Sequence, residues 1–441
     1  MLLVAAALLT ASMHSLGVVE TPNVPPTPPP TAVVAVAPVA PVTADDAATA
    51  HGRRMLDDLV ALAPADLRHA QDDARLVATV QDDPPSAVDV IRWWAGLGDG
   101  ARQYVEQTAP AVVGNLEGVP YAVRDRANRT TLDRALAAAD GDDGSATVRM
   151  LGKVRESLVQ QPGDPQRFLV TLDTRGPGRA AIAIGDLDTA TDVTLVVPGM
   201  FFTVSGQMVD FTATANDLAA EQASLVPLAV HGDRSGVAVV AWMGYRTPDL
   251  SNILSLQLAE TGAGRLERAV DGLRHVRDGD QPRLNLVAHS YGSTTAMMAL
   301  TSGRMSADTL TVLGSPGSDV RSASDLAVPH GQVFVGSAHS DPIAGSGYFG
   351  TDPGEASFGA TVLDLRTATH GQGTTAVFRR PVGHNDYLKP GTASLHDVAL
   401  IGVGRGDVVR DQAQGGSSRG DGVTVSPDVF LVRPQDLQPR D

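Results

Sequence analysis

The feature that most constrains this chain is the stretch from Leu284 to Leu300, which reads LNLVAHSYGSTTAMMAL. Leu284 to Val287 are short and mostly apolar, which predicts a strand buried on both faces within a parallel sheet. Ser293 to Leu300 are small and apolar, which predicts a buried helix. A sheet covered by helices is therefore expected, with one sharp turn between this strand and this helix.

The turn itself, Ala288-His289-Ser290-Tyr291-Gly292, is a variant of the G-x-S-x-G motif. A serine attacks well only when it is exposed, positioned and next to a base, and a strained turn at the end of a central strand exposes it. Ser290 is the candidate nucleophile. The N–H of Tyr291, at the start of the helix, can face a developing oxyanion. A chance match in a chain rich in Ala, Gly and Ser is the alternative, and the flanking strand and helix favour the functional interpretation.

Composition narrows the classes of partner and cofactor. The chain has 441 residues, a formal net charge of -16 and no cysteine. The negative charge argues against nucleic acid or an anionic membrane surface as the main partner. Without cysteine there are no disulfides, no thiol nucleophiles and no Cys-ligated metals. The histidines lack metal-ligand spacing with carboxylates, so neither a metal nor a cofactor is predicted.

The apolar N-terminal sequence predicts a signal peptide or an apolar tail over residues 1–20. The Pro-rich composition that follows predicts a linker over residues 21–46. The apolar run from Leu2 to Ala11 is too short for a stable membrane span. No Lys or Arg precedes it, although signal peptides usually carry a positive segment there. We expect a secreted or cell-envelope protein, with a cytoplasmic protein as the alternative.

Residues 47–160 are predicted to form a helical N-terminal region. One helix is expected over residues 67–80, and Ser86 is a plausible N-cap for the next. Trp93 and Trp94 in that helix could line a cleft and make the region a lid over it. We favour the interpretation that both tryptophans pack in a core.

Residues 161–402 alternate between strand and helix patterns. Strands are predicted over residues 168–172, 180–184, 193–197, 237–242, 284–287, 309–313, 332–335 and 361–365. The first two strands read as a hairpin, and the alternation that follows implies a mostly parallel sheet with helices on both faces. This is the order of an α/β-hydrolase fold. Residues 403–441 are predicted to be a loose Gly/Ser-rich tail, with a possible short strand over 423–432.

In that fold the acid and then the histidine of a catalytic triad follow the serine along the chain. Asp341 lies in the loop that follows the strand over 332–335, so it is the predicted acid. A turn residue in the Asp341-Pro342 pair is the alternative. The histidine should follow the strand over 361–365, where both His370 and His384 qualify. His384 lies at a predicted loop-to-helix junction, from which a base can reach inward, and is preferred over His370.

Two further residues are expected near the predicted nucleophile. The loop after the strand over 193–197 normally supplies the second oxyanion donor, and here the N–H of Met200 follows the tight turn at Gly199. An ordinary Pro-Gly turn is the alternative for this loop. His289 is interpreted as a structural or pocket-lining residue.

Several stretches together resemble a known family. They are WW at 93–94, GNLEGVP at 114–120, VPG at 197–199, WMGY at 242–245, AHSYGS at 288–293, GSPG at 314–317, SDPI at 340–343 and HNDYL at 384–388. This set resembles the actinobacterial α/β-hydrolase family once catalogued as domain of unknown function 1023, from about Trp93 to Leu400. The resemblance implies a hydrolase with Ser290, Asp341 and His384 at the matching positions, which adds to the preference for His384.

These patterns predict a serine hydrolase that cleaves an ester through an acyl-enzyme, with lipid or other acyl esters as the candidate substrates. Its partner would be a small-molecule or lipid ester. One alternative is a binding protein that keeps the fold without turnover. Another is an acyltransferase, in which an alcohol replaces water.

Overall fold

The computed structural model describes residues 41–139, 145–226, 236–253, 255–366, 368–369 and 377–416. The predicted N-terminal apolar segment, most of the Pro-rich linker, His370 and the possible strand over 423–432 lie outside these residues.

Helices surround a central sheet. Within the described residues the helices are α1 (Ala44–Thr49), α2 (Gly52–Ala61), α3 (Pro64–Ala70), α4 (Ala74–Asp82), α5 (Ala87–Gly96), α6 (Asp99–Thr108), α7 (Pro110–Val113), α8 (Tyr121–Ala138), α9 (Ala146–Ser157), α10 (Val204–Leu225), α11 (Gln257–Val276), α12 (Tyr291–Thr301), α13 (Ala393–Gly402) and α14 (Gly406–Gly416). The strands are β1 (Arg167–Asp173), β2 (Arg179–Ile184), β3 (Asp192–Val197), β4 (Val237–Met243), β5 (Arg283–His289), β6 (Thr309–Leu313), β7 (Val333–Gly336), β8 (Thr361–Val362), β9 (Ala368–Thr369) and β10 (Val377–Phe378).

The main sheet has the strand order β1-β2-β4-β3-β5-β6-β7-β8. β1 and β2 form the predicted antiparallel hairpin, and β2 pairs antiparallel with β4. From β4 to β8 every pairing is parallel. The mostly parallel sheet with helices on both faces confirms the predicted fold class, and it places β5 at the centre of the parallel strands.

Helices cover both faces of β5, which explains its continuous apolar sequence. Leu286 and Ala288 pack in a cluster with residues of α11 and α12. Val287 points the other way, into a cluster with residues of α9, α10, α13 and α14. A parallel strand buried on both faces needs this composition, because neither set of alternating side chains meets water.

Buried asparagines join the helical N-terminal region to β1. The Asn128 amide on α8 donates to the carbonyls of Gly114 at 2.8 Å and Leu169 at 2.9 Å. Asn115 exchanges two hydrogen bonds with the backbone of Leu172, at 2.9 and 3.0 Å. These side chains form hydrogen bonds with backbone groups of β1, as a further strand of the sheet would.

An ion network adds a second connection between the helical region and the sheet. Asp82, the last residue of α4, accepts hydrogen bonds from Arg175 at 2.8 Å and from Arg265 of α11 at 2.7 Å. The Arg175 guanidinium holds the pKa of Asp82 below its usual range. From Val42 onward the described residues form one compact unit.

The structure corrects the prediction of one helix over residues 67–80. α3 ends at Ala70 and α4 begins at Ala74. The side chain of Asp73 accepts a hydrogen bond from the N–H of Arg75, so it caps a new helix. The apolar periodicity continued through this break and hid it.

The predicted limits of the linker and the tail also need correction. Thr43 and Asp46 form a capping box that starts α1 inside the stretch assigned to the 21–46 linker. α14 lies within the predicted 403–441 tail, where Val409 is buried against the sheet and Arg410 donates to the Gly331 carbonyl. Tertiary contacts stabilise this helix although its composition is Gly-rich. No helix in the described ranges is long and apolar enough to cross a membrane.

We expect Asn128→Ala to lower the free energy of unfolding by about 1–3 kcal/mol, because the Leu169 carbonyl loses its side-chain donor, while the Gly114 carbonyl keeps the longer bond from Arg124 at 3.3 Å. Denaturant titration measures this change. Asp133→Ala, on the exposed side of the same helix, is the matched control and should change stability by less than about 0.5 kcal/mol. A similarly small effect at Asn128 would show that these hydrogen bonds do not hold α8 to β1.

Candidate active site

Ser290 lies at the strained turn between β5 and α12. Its backbone has φ 54° and ψ -130°, a conformation that costs a non-glycine residue about 1–3 kcal/mol. The turn is held by the hydrogen bond from the Ser290 N–H to the Leu313 carbonyl at 2.9 Å and by one from the Ser293 hydroxyl to the Ser290 carbonyl at 2.6 Å. This is the sharp strand-to-helix turn that the sequence predicted, and Ala288 is fully buried beside it.

Two glycines let the neighbouring backbones approach this turn. A Cβ on Gly292 would lie 2.5 Å from the Pro198 carbonyl oxygen. A Cβ on Gly199 would lie 2.6 Å from Cβ of Ser290. Real Cβ atoms do not approach so closely, so the loop after β3 can meet the Ser290 turn only with glycine at both positions.

The structure brings Ser290, His384 and Asp341 together. The Ser290 Oγ lies 2.8 Å from Nε2 of His384. Nδ1 of His384 lies 2.9 and 3.1 Å from the two carboxylate oxygens of Asp341. Because a carboxylate only accepts, Nδ1 carries the proton and Nε2 can accept the hydroxyl proton of Ser290. This arrangement can generate a serine nucleophile and a protonated imidazole beside a fixed negative charge.

Four hydrogen-bond donors keep Asp341 ionised at a buried position. Burial alone would raise the pKa of this carboxyl, but hydrogen bonds from His384 and Tyr387, together with the N–H of Ile343, lower it to about 2. The Tyr387 hydroxyl donates to Oδ2 at 2.5 Å, and the N–H of Ile343 donates to Oδ1 at 2.9 Å. The N–H of Ala344 adds a longer bond to Oδ1 at 3.3 Å. The carboxylate is therefore charged wherever the protein is folded near neutral pH.

Sequence reasoning missed the role of Tyr387. Its hydroxyl accepts from the N–H of Ala338 at 2.7 Å while it donates to Asp341. Burial, with the nearby charge of Asp341, raises the pKa of Tyr387 well above its usual value, so the hydroxyl stays protonated. The signal was present in the sequence, since Tyr387 lies three residues after His384 within the HNDYL motif.

His289 supports the loop that carries His384. Its Nε2 donates to the backbone carbonyl of His384 at 2.7 Å, and the two rings lie 4.6 Å apart between centroids. Burial, and then the neighbouring His384, lower the pKa of His289. A neutral ring here avoids a second positive charge beside the imidazolium that His384 would become. This contact agrees with the prediction that His289 is a structural residue, because it holds the backbone of His384.

The two predicted oxyanion donors belong to the two segments that meet at Ser290, the loop after β3 and the start of α12. Met200 follows Gly199 in the loop that touches Ser290, and Tyr291 is the first residue of α12. A first-turn N–H has no acceptor within its own helix. For neither backbone N–H does the described part of the chain supply a hydrogen-bond acceptor. Both remain candidates for binding a substrate oxygen.

The helical N-terminal region does not line the cavity beside His384. That cavity, about 410 Å³ in volume, is lined by residues of α10, of the loop that carries His384 and of strand ends. Trp93 and Trp94 are 3% and 8% exposed and pack among the helices of the N-terminal region. The structure thus places both tryptophans in a core away from the cavity beside His384, and Trp94 also lines an open surface depression next to α6.

No group of three or more His, Asp or Glu side chains in the described ranges could hold a metal ion. His370, the alternative base, lies outside those ranges.

Comparison with known proteins identifies relatives. A family model described as alpha/beta hydrolase matches residues 173–351, which include Ser290 and Asp341. Uncharacterized protein Rv2079 of Mycobacterium tuberculosis is 30% identical over 384 residues, 75% of this chain and 58% of that protein. The chain thus spans less than two thirds of that relative's length. Uncharacterized protein Rv0963c of the same organism is 32% identical over 248 residues, 54% of this chain and 91% of that protein.

Among solved structures, an arylesterase matches with a TM-score of 0.34 and 10% identity, over 64% of this chain and 97% of the arylesterase. A likeness of this size carries no argument about function.

We expect Tyr387→Phe to raise the pKa of Asp341, because it removes a donor to the carboxylate. A lowered carboxyl pKa contributes stability above the unfolded-state value of about 4, and this contribution is lost as pH falls toward the folded-state value. The variant should therefore be less stable by about 1–2 kcal/mol at pH 7, and the difference from the wild type should shrink below about pH 4. Denaturant titration across that pH range measures both effects.

Tyr348→Phe is the matched control, since Tyr348 is 47% exposed. It should leave stability nearly unchanged. A Tyr387→Phe difference that is identical at neutral and acid pH would show that the hydroxyl does not act through the charge of Asp341.

Proposed function

The chain belongs to the same family as uncharacterized protein Rv0963c of Mycobacterium tuberculosis, and a model described as alpha/beta hydrolase matches residues 173–351. On that premise we propose that the protein is a serine hydrolase that cleaves a carboxylic ester. The observation that carries this proposal is the unbroken hydrogen-bonded series from Ser290 Oγ to His384 to Asp341, with distances of 2.8 and 2.9 Å. Lipid esters and other acyl esters are the substrate class we propose.

In this mechanism Ser290 Oγ attacks the acyl carbon while its proton moves to Nε2 of His384. Asp341 keeps the imidazole in the required tautomer and stabilises the imidazolium. The N–H groups of Met200 and Tyr291 bind the oxyanion, and losing one such donor typically costs about 3 kcal/mol of transition-state stabilisation. His384 returns the proton to the leaving alcohol. Water then attacks the acyl-enzyme, with His384 again taking the proton, and releases the acid.

The charge state of the site supports this sequence of steps. Asp341 is ionised, because the hydrogen bonds to it hold its pKa low in spite of burial. His289 is neutral, because burial lowers its pKa. Of these two neighbours of His384, only Asp341 carries a full charge, and that charge is negative. It stabilises the protonated form of His384 relative to the neutral form.

We expect a fluorophosphonate probe to label the wild type and to fail with Ser290→Ala, because the probe needs an activated serine. His384→Ala should label far more slowly, while His370→Ala should label normally. Hydrolysis of a phenyl ester by Ser290→Ala should fall by at least about 10⁴-fold. Gel fluorescence and a release assay measure the two effects.

Ser205→Ala, at an exposed serine of α10, is the control for serine replacement and should behave as the wild type. Labelling that needs His370 and survives His384→Ala would move the base to His370. A folded wild type that neither reacts with the probe nor hydrolyses esters would support the silent binding protein instead. Transfer of the acyl group to an added alcohol in preference to water would support the acyltransferase.

We also propose membership of the actinobacterial group once catalogued as domain of unknown function 1023, on the motifs around Ser290, Asp341 and His384. Export is proposed from the apolar run between Leu2 and Ala11, with a cytoplasmic location as the alternative. The net charge of -16 supports a partner other than nucleic acid.

A further inference from the structure

The cavity beside His384 has the size and walls of a ring-binding pocket. It lies between the first half of α10 and the loop that carries His384, and its volume is about 410 Å³. Phe202, Phe211 and Leu388 contribute apolar walls, and the two phenylalanine rings meet edge to face with centroids 5.3 Å apart. A dry apolar cavity of about 150 Å³ already binds benzene. This cavity therefore has room for a ring-bearing group larger than benzene.

The position of the cavity relative to the reacting atoms indicates which part of an ester it would hold. His384 is in its wall, whereas Ser290, Met200 and Tyr291 are not among its lining residues. In ester cleavage the imidazole hands its proton to the leaving oxygen, so the leaving group must lie on the imidazole's side of the serine. The acyl oxygen must instead lie against the two backbone N–H donors.

We propose that this cavity binds the leaving alcohol of the substrate, and that this alcohol carries a flat, uncharged ring. The inference rests on the proposed ester hydrolysis. Ser290 Oγ bonds to the acyl carbon, its proton passes to His384, and the bond between the acyl carbon and the ring-bearing oxygen breaks. That oxygen takes the proton from His384, and the alcohol is released into the cavity.

The charges in the cavity wall favour a neutral occupant. Asp386 is bound by Arg379 through two hydrogen bonds, at 2.5 and 2.9 Å. The other charged wall residues are Asp210 and Lys389, which carry opposite charges. The formal charges of these four side chains sum to zero. A charged leaving group would gain no net attraction there, while a neutral ring gains the apolar contact with the phenylalanines.

Thr214 offers a way to fill the cavity without touching the reacting atoms. It lines the cavity from α10, and its hydroxyl bonds to the Asp210 carbonyl of its own helix, at 3.0 Å. Thr214→Phe places a ring in the cavity. Ala213→Phe adds the same ring at the exposed neighbouring position of the helix, which does not line the cavity, and is the matched control.

We expect Thr214→Phe to lower kcat/KM for 2-naphthyl butyrate roughly tenfold relative to ethyl butyrate, because the naphthyl ring loses its space. The preference among phenyl esters of different acyl chain length should stay as in the wild type. Deacylation, followed in a single turnover, should also stay unchanged, because all butyrate esters give the same acyl-enzyme. Ala213→Phe should change none of these quantities. If Thr214→Phe does not fold, Thr214→Leu replaces it.

Binding of 2-naphthol to Ser290→Ala, measured by calorimetry, tests the cavity without turnover. We expect binding that weakens roughly tenfold when Thr214→Phe is added. If esters are hydrolysed but naphthol does not bind, or Thr214→Phe instead shifts the acyl chain preference, the leaving-group assignment is wrong and the proposed function stands. If naphthol binds but no ester is hydrolysed and no probe labels Ser290, the proposed function is wrong and the leaving-group role falls with it.

Discussion

The hydrogen bond between Ser290 and His384 is the interaction on which the rest of the candidate site depends. It joins residues 94 positions apart at 2.8 Å. The fold must therefore position the end of β5 and the loop after β10 to within a few tenths of an ångström of each other's required places. Ser290 has a strained backbone and is 1% exposed, and its hydroxyl lies within hydrogen-bond distance of His384. The packing of β5 and α12, whose side chains are mostly buried, offsets the free energy of that strain.

The loop that carries His384 has little regular structure, and contacts with its neighbours fix it. Asp341 binds the imidazole, Tyr387 binds both Asp341 and the Ala338 N–H, and His289 binds the His384 carbonyl. Asp341 and Ala338 belong to the loop after β7 and His289 to the end of β5, whereas Tyr387 lies in the same loop as His384. A hydrogen-bonded network in a buried setting is stronger than the same bonds in water, and it costs more when one member is lost. The base therefore stays in place although no strand or helix carries it.

The helical N-terminal region contacts the sheet at β1, the edge strand farthest from β8 in the strand order, and it also contacts α11. Asn115 and Asn128 pair backbone groups of β1, and Asp82 links Arg175 to Arg265. An unpaired strand edge invites association with another chain, so covering it with helices protects the sheet. In the described residues this region supports the hydrolase sheet and does not form a wall of the cavity beside His384.

Sequence patterns predicted the fold class, because the apolar strand before Ser290, the small-residue helix after it and the alternation of strands and helices around them fit a parallel sheet covered by helices. The strand order also pointed to Ser290 and Asp341 and left His370 and His384 as candidate bases, between which the junction at His384 and the family resemblance favoured His384. Local patterns did not reveal the break between α3 and α4, where Asp73 caps a new helix, or the helix at Gly406–Gly416 that tertiary contacts stabilise. Only the tertiary structure assigned the Tyr387 hydroxyl to Asp341 and His289 to the His384 carbonyl, and only it placed Phe202 and Phe211 beside His384. These contacts join residues far apart in the chain, and their geometry depends on how helices and loops pack, which no periodicity records.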